Sequence, residues 1–185
     1  MPESHISSKS SGLLYALDGV APSIDPTAWV APTAVLIGDV RLGPGANIWF
    51  NCVLRADTNP IIVGARTNIQ DGTIIHVDHG KNFTEIGDDV TVGHAAIIHA
   101  CKLRNRAFIG MGATVLDGAV VEEAGMLAAR GLLGPGKVIG RQELWVGAPA
   151  RLQRVMSDAE RAGWDETVPH YVGLAARYRG GLERE

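Results

Sequence analysis

Four of the six histidines fall in one short stretch: His76, His79, His94 and His99. His5 lies near the start and His170 near the end. A lone imidazole is more often a surface or satisfied core residue than a ligand. Four close together, three of them among aliphatic neighbours, point to chemistry. Neutral imidazole is a common ligand for zinc, and near pH 7 it also moves protons. The two cysteines, Cys52 and Cys101, are far apart and form no CxxC pair. Neither a cysteine zinc site nor a disulfide framework is expected from them.

Positioning those histidines falls to a six-residue rhythm. Leu103, Ile109, Val115, Val121, Leu127, Leu133 and Ile139 keep one phase without a break. Leu42, Ile48 and Leu54 repeat it earlier, after Ile24, Val30 and Leu36 or Ile37; Ile86, Val92 and Ile98 form a third block. A period of six matches neither a helix nor a long alternating strand. It fits strands of two or three residues separated by turns, each repeat burying one aliphatic side chain. Gly38, Gly87 and Gly110 follow such aliphatics, as tight turns or close backbone approach require. Three repeats make a triangular coil of about 18 residues, and coils stack about 4.8 Å apart. The rhythm slips twice, at 57–60 and in a loop at 78–85.

This geometry bears on the histidines. His76 and His99 are 23 residues apart, one coil plus an insertion of five, so they stack on adjacent coils of one face. His94 precedes His99 by five residues. At about 3.3 Å per extended residue that is about 16 Å along the strand path. Three nitrogens at about 2.0–2.1 Å from one zinc do not readily meet within one chain. They meet if His94 comes from a neighbour, and a three-fold assembly supplies three equivalent sites. The spacing thus predicts a homotrimer together with a metal.

Three strings carry a specific likeness: Val53-Leu54-Arg55-Ala56-Asp57, then Gly64-Ala65-Arg66-Thr67-Asn68-Ile69-Gln70-Asp71-Gly72, then His76 with Val90-Thr91-Val92-Gly93-His94 and His99. Together they resemble the γ-class carbonic anhydrase family, over about residues 21–150. The resemblance implies an all-β fold, a left-handed parallel β-helix of hexapeptide repeats with a C-terminal α-helix. It implies zinc on His76 and His99 of one subunit and His94 of the next, with iron or cobalt as other ions the site would take. The implied reaction is reversible hydration of carbon dioxide to bicarbonate by a water that the metal acidifies. The family motif gives Gln70 a hydrogen bond to that water or to bicarbonate. Asn68 either orients substrate or satisfies a turn, and Tyr171 either lies near the metal or packs. Arg55, Asp57 and Asp71 resemble the family's ion-pair cluster across the subunit interface. The chain departs from the best-studied branch, which moves protons with two glutamates. Thr58 stands at the first position, and the loop from Asp78 has no glutamate before Glu85. Low activity is therefore expected, with His79 a possible proton shuttle in their place.

The remaining sequence sets bounds. A net charge of -3 offers no electrostatic reason to expect nucleic acid. No apolar run is long enough for a membrane span, and the polar, Ser-rich start is no signal peptide, so a cytoplasmic protein is expected. Residues 1–12 read as a flexible N-terminus, 13–150 as the β-helix and 151–185 as a helical tail packing on it. In that tail Ser157 and Glu160 form a capping box, Pro169 divides the helix, and Trp164, Tyr171, Leu174 and Tyr178 pack on the coil. Two other functions share the pattern: a metal-dependent thioesterase, and a CoA-linked hexapeptide acyltransferase. Three convergent histidines are not needed by the latter.

Overall fold

A computed structural model describes residues 12–80 and 82–183. The expected flexible segment therefore lies outside the described residues, except for Gly12. Short parallel strands stack coil upon coil along three faces. On the first face Leu13, Val35, Val53, Ile74, Ile97, Thr114 and Leu132 stand in one column. On the second the column is Ser23, Arg41, Ile62, Glu85, Lys102, Val120 and Val138. On the third it is Trp29, Asn47, Asn68, Thr91, Phe108, Met126 and Leu144.

Successive side chains of a strand point to opposite sides, so the residue after each column member turns inward. Leu36, Leu54, Ile75, Ile98, Val115 and Leu133 line the interior behind the first face and are all buried. Each such aliphatic contributes about 1.5–3 kcal/mol on burial. That is the physical content of the six-residue rhythm.

The corners show why coils stay in register. At the corner between the third and first faces, Asn51, Gly72, Ala95, Gly112 and Arg130 all have left-handed φ. In that conformation the amides of Gly72, Ala95, Gly112 and Arg130 donate to carbonyls one coil earlier, at 2.8–2.9 Å. Satisfying a backbone donor offsets the steric cost for the non-glycine members. Gly110 has another reason to be glycine. A Cβ there would lie 2.3 Å from the Ala129 nitrogen on the next coil.

Both expected slips are present. The partner of Val35 is 18 residues on, that of Val40 is 21 on and that of Ile61 is 23 on. Three extra residues thus enter near 57–60, and five in the loop after Val77. A third slip went unforeseen. Leu103 follows Ile98 by five residues, so the corner after His99 is one residue short. Two strands are also longer than expected. Val35–Leu42 and Val53–Val63 run round a corner and join the first two faces into one sheet.

After Glu143–Val146 the chain reverses, and Arg151–Val155 pairs antiparallel with that strand. Residues 151–155, assigned by the sequence to the helical tail, are therefore an exposed edge strand. Helix α1, Asp158–Asp165, starts at the expected capping box of Ser157 and Glu160. Helix α2, Thr167–Gly181, follows after a break at Glu166. Pro169 sits in the first turn of α2, where a missing N–H costs no helical bond. It begins the second piece rather than cutting a longer one. Tyr171 and Tyr178 pack on Trp49 at 5.2 and 5.3 Å between ring centres, Leu174 packs on the core beside them, and Trp164 lies 5.0 Å from Phe108. Among the described residues no helix is long and apolar enough to cross a membrane.

Candidate metal and substrate site

The corner between the first and second faces carries one half of the site. Arg55, His76 and His99 lie in register on three successive coils. His76 Nδ1 faces His99 Nε2 at 3.1 Å. The other nitrogen of each ring is held by a carboxylate. His76 Nε2 is 2.9 Å from Asp57 Oδ1, and His99 Nδ1 bonds Asp117. Asp57 also pairs with Arg55. Partial burial works against the Asp57 charge, but the His76 hydrogen bond and the Arg55 guanidinium together hold its carboxyl below the usual range. Asp117 was missed from sequence. It lies 18 residues after His99, one coil on, so the coil length was a usable signal.

The other half sits at the opposite edge of the first face, in the turn after Thr91–Val92. His94 Nδ1 is 2.9 Å from Asp71 Oδ2. Asp71 Oδ1 in turn accepts from the Phe50 amide at 3.2 Å, which fixes its orientation. The Tyr171 hydroxyl is 3.5 Å from His94 Nε2. Burial first, then the nearby Asp71 charge, push the Tyr171 phenol up, so it stays protonated and donates. Gln70 is buried and donates from Nε2 to Asn68 Oδ1 at 3.0 Å. Asn68 is wholly buried and donates to Thr91 Oγ1 at 2.9 Å. It has no surface to offer a substrate within this chain; it orients Gln70.

Within one chain the two halves do not meet. Among the described residues no group of three histidine, cysteine or acidic side chains converges on one position. The expected cluster of Arg55, Asp57 and Asp71 is divided in the same way, with Asp71 at the His94 edge. His79 is on the exposed loop, 3.5 Å from Asp78 and apart from the histidine pair's hydrogen bonds. Asn59 pins that loop by donating to the Asp78 and Gly80 carbonyls at 2.6 and 3.1 Å. Thr58 bonds the Asp78 carbonyl, and Glu85 pairs with Arg104 on the second face.

The paired imidazoles fit a divalent ion. Nitrogens at about 2.0–2.1 Å from a tetrahedral ion stand about 3.3 Å apart, close to the spacing of His76 and His99. An ionised carboxylate accepts, so it fixes the proton on the nitrogen it faces. The lone pair is then left on His76 Nδ1, His99 Nε2 and His94 Nε2.

No family model matches the chain. It is 48% identical over 160 residues to "Gamma carbonic anhydrase 1, mitochondrial" of Arabidopsis thaliana, covering 84% of this chain and 58% of that protein. The chain thus spans somewhat over half the length of that relative. It is 41% identical over 163 residues to the carnitine operon protein CaiE of Escherichia coli, covering 88% of this chain and 83% of the relative. A crystal structure of a hexapeptide transferase family protein from Anaplasma phagocytophilum superposes with a TM-score of 0.84 at 45% identity, covering 92% and 98% of the two chains. The coil is the left-handed parallel β-helix of hexapeptide-repeat proteins, as expected from the resemblance.

Proposed function

Because the chain belongs to the γ-carbonic-anhydrase-like family of hexapeptide-repeat proteins, we propose that it is a metal-dependent hydratase of carbon dioxide, built as a homotrimer with low turnover. One observation carries this reading. Each of His76, His94 and His99 gives one ring nitrogen to an aspartate and keeps the other as a lone pair. Structural histidines have no reason to share that pattern; metal-ligating ones do.

The faces support the trimer. The third is covered by α1 and α2, and the second carries Arg41, Glu85 and Lys102. The first carries the column from Leu13 to Leu132, apolar except for Thr114, with Leu13, Ile74 and Ile97 at 46%, 48% and 44% exposure. The two half-sites flank that face. A neighbour packed head-to-tail across it brings its His94 to the other chain's His76 and His99, and a three-fold ring closes the set.

Zinc is the ion assigned here, with iron or cobalt compatible; when bound it supplies Lewis acidity and an acidified water. The chain's own groups do the rest. Asp57, Asp71 and Asp117 set the imidazole tautomers. Gln70, held by Asn68, and the Tyr171 hydroxyl hydrogen-bond substrate oxygens. Arg55 holds Asp57 ionised. Proton release falls to exposed His79 and solvent, since Thr58 cannot titrate and Glu85 is engaged elsewhere; hence the low turnover. Two buried, unpaired thiols support a reducing compartment, the cytoplasm.

Metal analysis with a carbon dioxide hydration assay, on wild type and His94→Ala, tests this. The expected result is about one zinc per chain and measurable hydration, both lost in the variant. Wild-type protein without stoichiometric divalent metal overturns it.

A further inference from the structure

On the third face, Asn47, Asn68 and Thr91 stand in one column, and all three are buried. A buried amide needs partners for both of its ends, because leaving either one alone costs the full desolvation of that group. Asn47 shows how this column meets that need. Its Nδ2 donates to the Gly45 carbonyl at 3.1 Å, and its Oδ1 accepts from the Trp49 indole at 2.8 Å. An indole N–H can only donate, so the sense of that arrangement is fixed. Asn68 repeats it one coil on. Its Nδ2 donates to Thr91 Oγ1 at 2.9 Å and reaches the Val90 carbonyl at 3.4 Å. A carbonyl can only accept, so Asn68 keeps its nitrogen there and turns Oδ1 to Gln70. Gln70 answers with Nε2, at 3.0 Å.

Gln70 lines a cavity of about 490 Å³ together with His94 and Tyr171. With its nitrogen turned to Asn68, its carbonyl oxygen is the end left for that cavity. We infer that Thr91 is a positioning residue: its hydroxyl holds the Asn68 amide, and through it keeps the Gln70 carbonyl, not the Gln70 nitrogen, towards the cavity. The Val90 carbonyl sets the sense of the chain, but at 3.4 Å it holds Asn68 weakly; the shorter bond to Thr91 fixes it in place. An acceptor at that place favours a partner that carries a proton there, a water or a hydroxyl, over a bare anionic oxygen. The orientation stands on these hydrogen bonds alone; its effect on turnover rests on the hydratase reading above.

Side-chain amide proton exchange, followed by NMR in metal-free, isotope-labelled protein, reads whether this chain of bonds holds. The Gln70 signal is assigned by its loss in Gln70→Leu. Thr91→Val keeps the shape and removes the hydroxyl. In it the Asn68 and Gln70 amide protons should exchange about tenfold to a hundredfold faster, as for one lost buried hydrogen bond. Thr91→Ser keeps a hydroxyl and should keep slow exchange. The Trp49 indole proton, held by Asn47 on the same face, should keep its wild-type rate in both variants. Thr91→Ala takes the place of the valine variant if that one does not fold. With zinc loaded, kcat/KM for carbon dioxide should fall about tenfold in Thr91→Val at unchanged zinc content, and return in Thr91→Ser. Wild-type exchange in Thr91→Val, or a Trp49 proton loosened as much as those of Gln70, overturns the inference. So does a Thr91→Val protein that hydrates as fast as an active wild type. The expected exchange pattern in a wild type that neither binds zinc nor hydrates carbon dioxide sinks the hydratase reading alone.

Discussion

An imidazole free to rotate and to choose its tautomer loses both freedoms when it ligates. Asp57, Asp71 and Asp117 remove that cost in advance. Asp117→Asn keeps the shape but can face His99 with its amide N–H₂, which favours the wrong tautomer. Zinc affinity should fall about 10- to 100-fold in a competition titration with little change in melting temperature, since the side chain is 44% exposed. Unchanged affinity would mean that Asp117 is only a corner residue. The sequence pointed to the three imidazoles by their spacing, but Asp117 reads there as half of an Asp-Gly turn. Only the coil length ties it to His99. Asn68 reads in the sequence either as a group that orients substrate or as a turn residue; in the structure it is buried and accepts a hydrogen bond from Gln70. Sequence holds no record of which side a helix will cover. The thiols yield a second prediction. Burial pushes Cys52 and Cys101 up to about 12 from an ordinary value near 9. Between those values the unfolded chain has lost protons that the folded chain keeps, so stability is full below pH 9 and falls as pH rises towards 12. Denaturant titrations across that window should show a shallower fall for Cys52→Ala with Cys101→Ala than for wild type.

Regular coils depend on backbones that touch at the corners. At Gly110 the next coil's backbone occupies the space a methyl would need, and neither chain can yield without breaking register. Gly110→Ala should cost about 1–3 kcal/mol or more in urea unfolding. At Gly134 nothing lies within 4 Å of such a methyl. Gly134→Ala should be neutral or stabilise by up to about 1 kcal/mol, through a less free unfolded chain. Equal effects at the two positions would refute close approach as the reason for Gly110. The rhythm of buried aliphatics and the Ser157 capping box were readable because each follows from local spacing. The short corner after His99 was not, because Ala100, buried with a φ of 44°, carries no turn signature. Nor was the strand Arg151–Val155. Its residues are exposed on both sides, so no alternation marks it, and its pairing with Glu143–Val146 follows from the reversal at Gly147.

In the whole molecule, the proposed metal site depends on which chain supplies His94. The two half-sites lie on opposite edges of one largely apolar face, so on the proposed reading packing that face also completes the site, and bound metal adds stability to an assembly that forms without it. Ile97→Asp would put a charge in the middle of the column and should yield monomers without zinc, but loss alone does not tell a shared site from a damaged one. Restoration does. His76→Ala and His94→Ala chains should each trimerise and each bind no zinc. When the two are unfolded together in equal amounts and refolded, an interface works only if a His94→Ala chain supplies His76 and His99 and a His76→Ala chain supplies His94. Random assembly meets both conditions at about a quarter of interfaces. Zinc content and carbon dioxide hydration should therefore return to about a quarter of the wild-type values, although neither parent chain has any. If the three imidazoles instead gathered within one chain, every chain in the mixture would lack a ligand and the mixture would stay empty at any ratio.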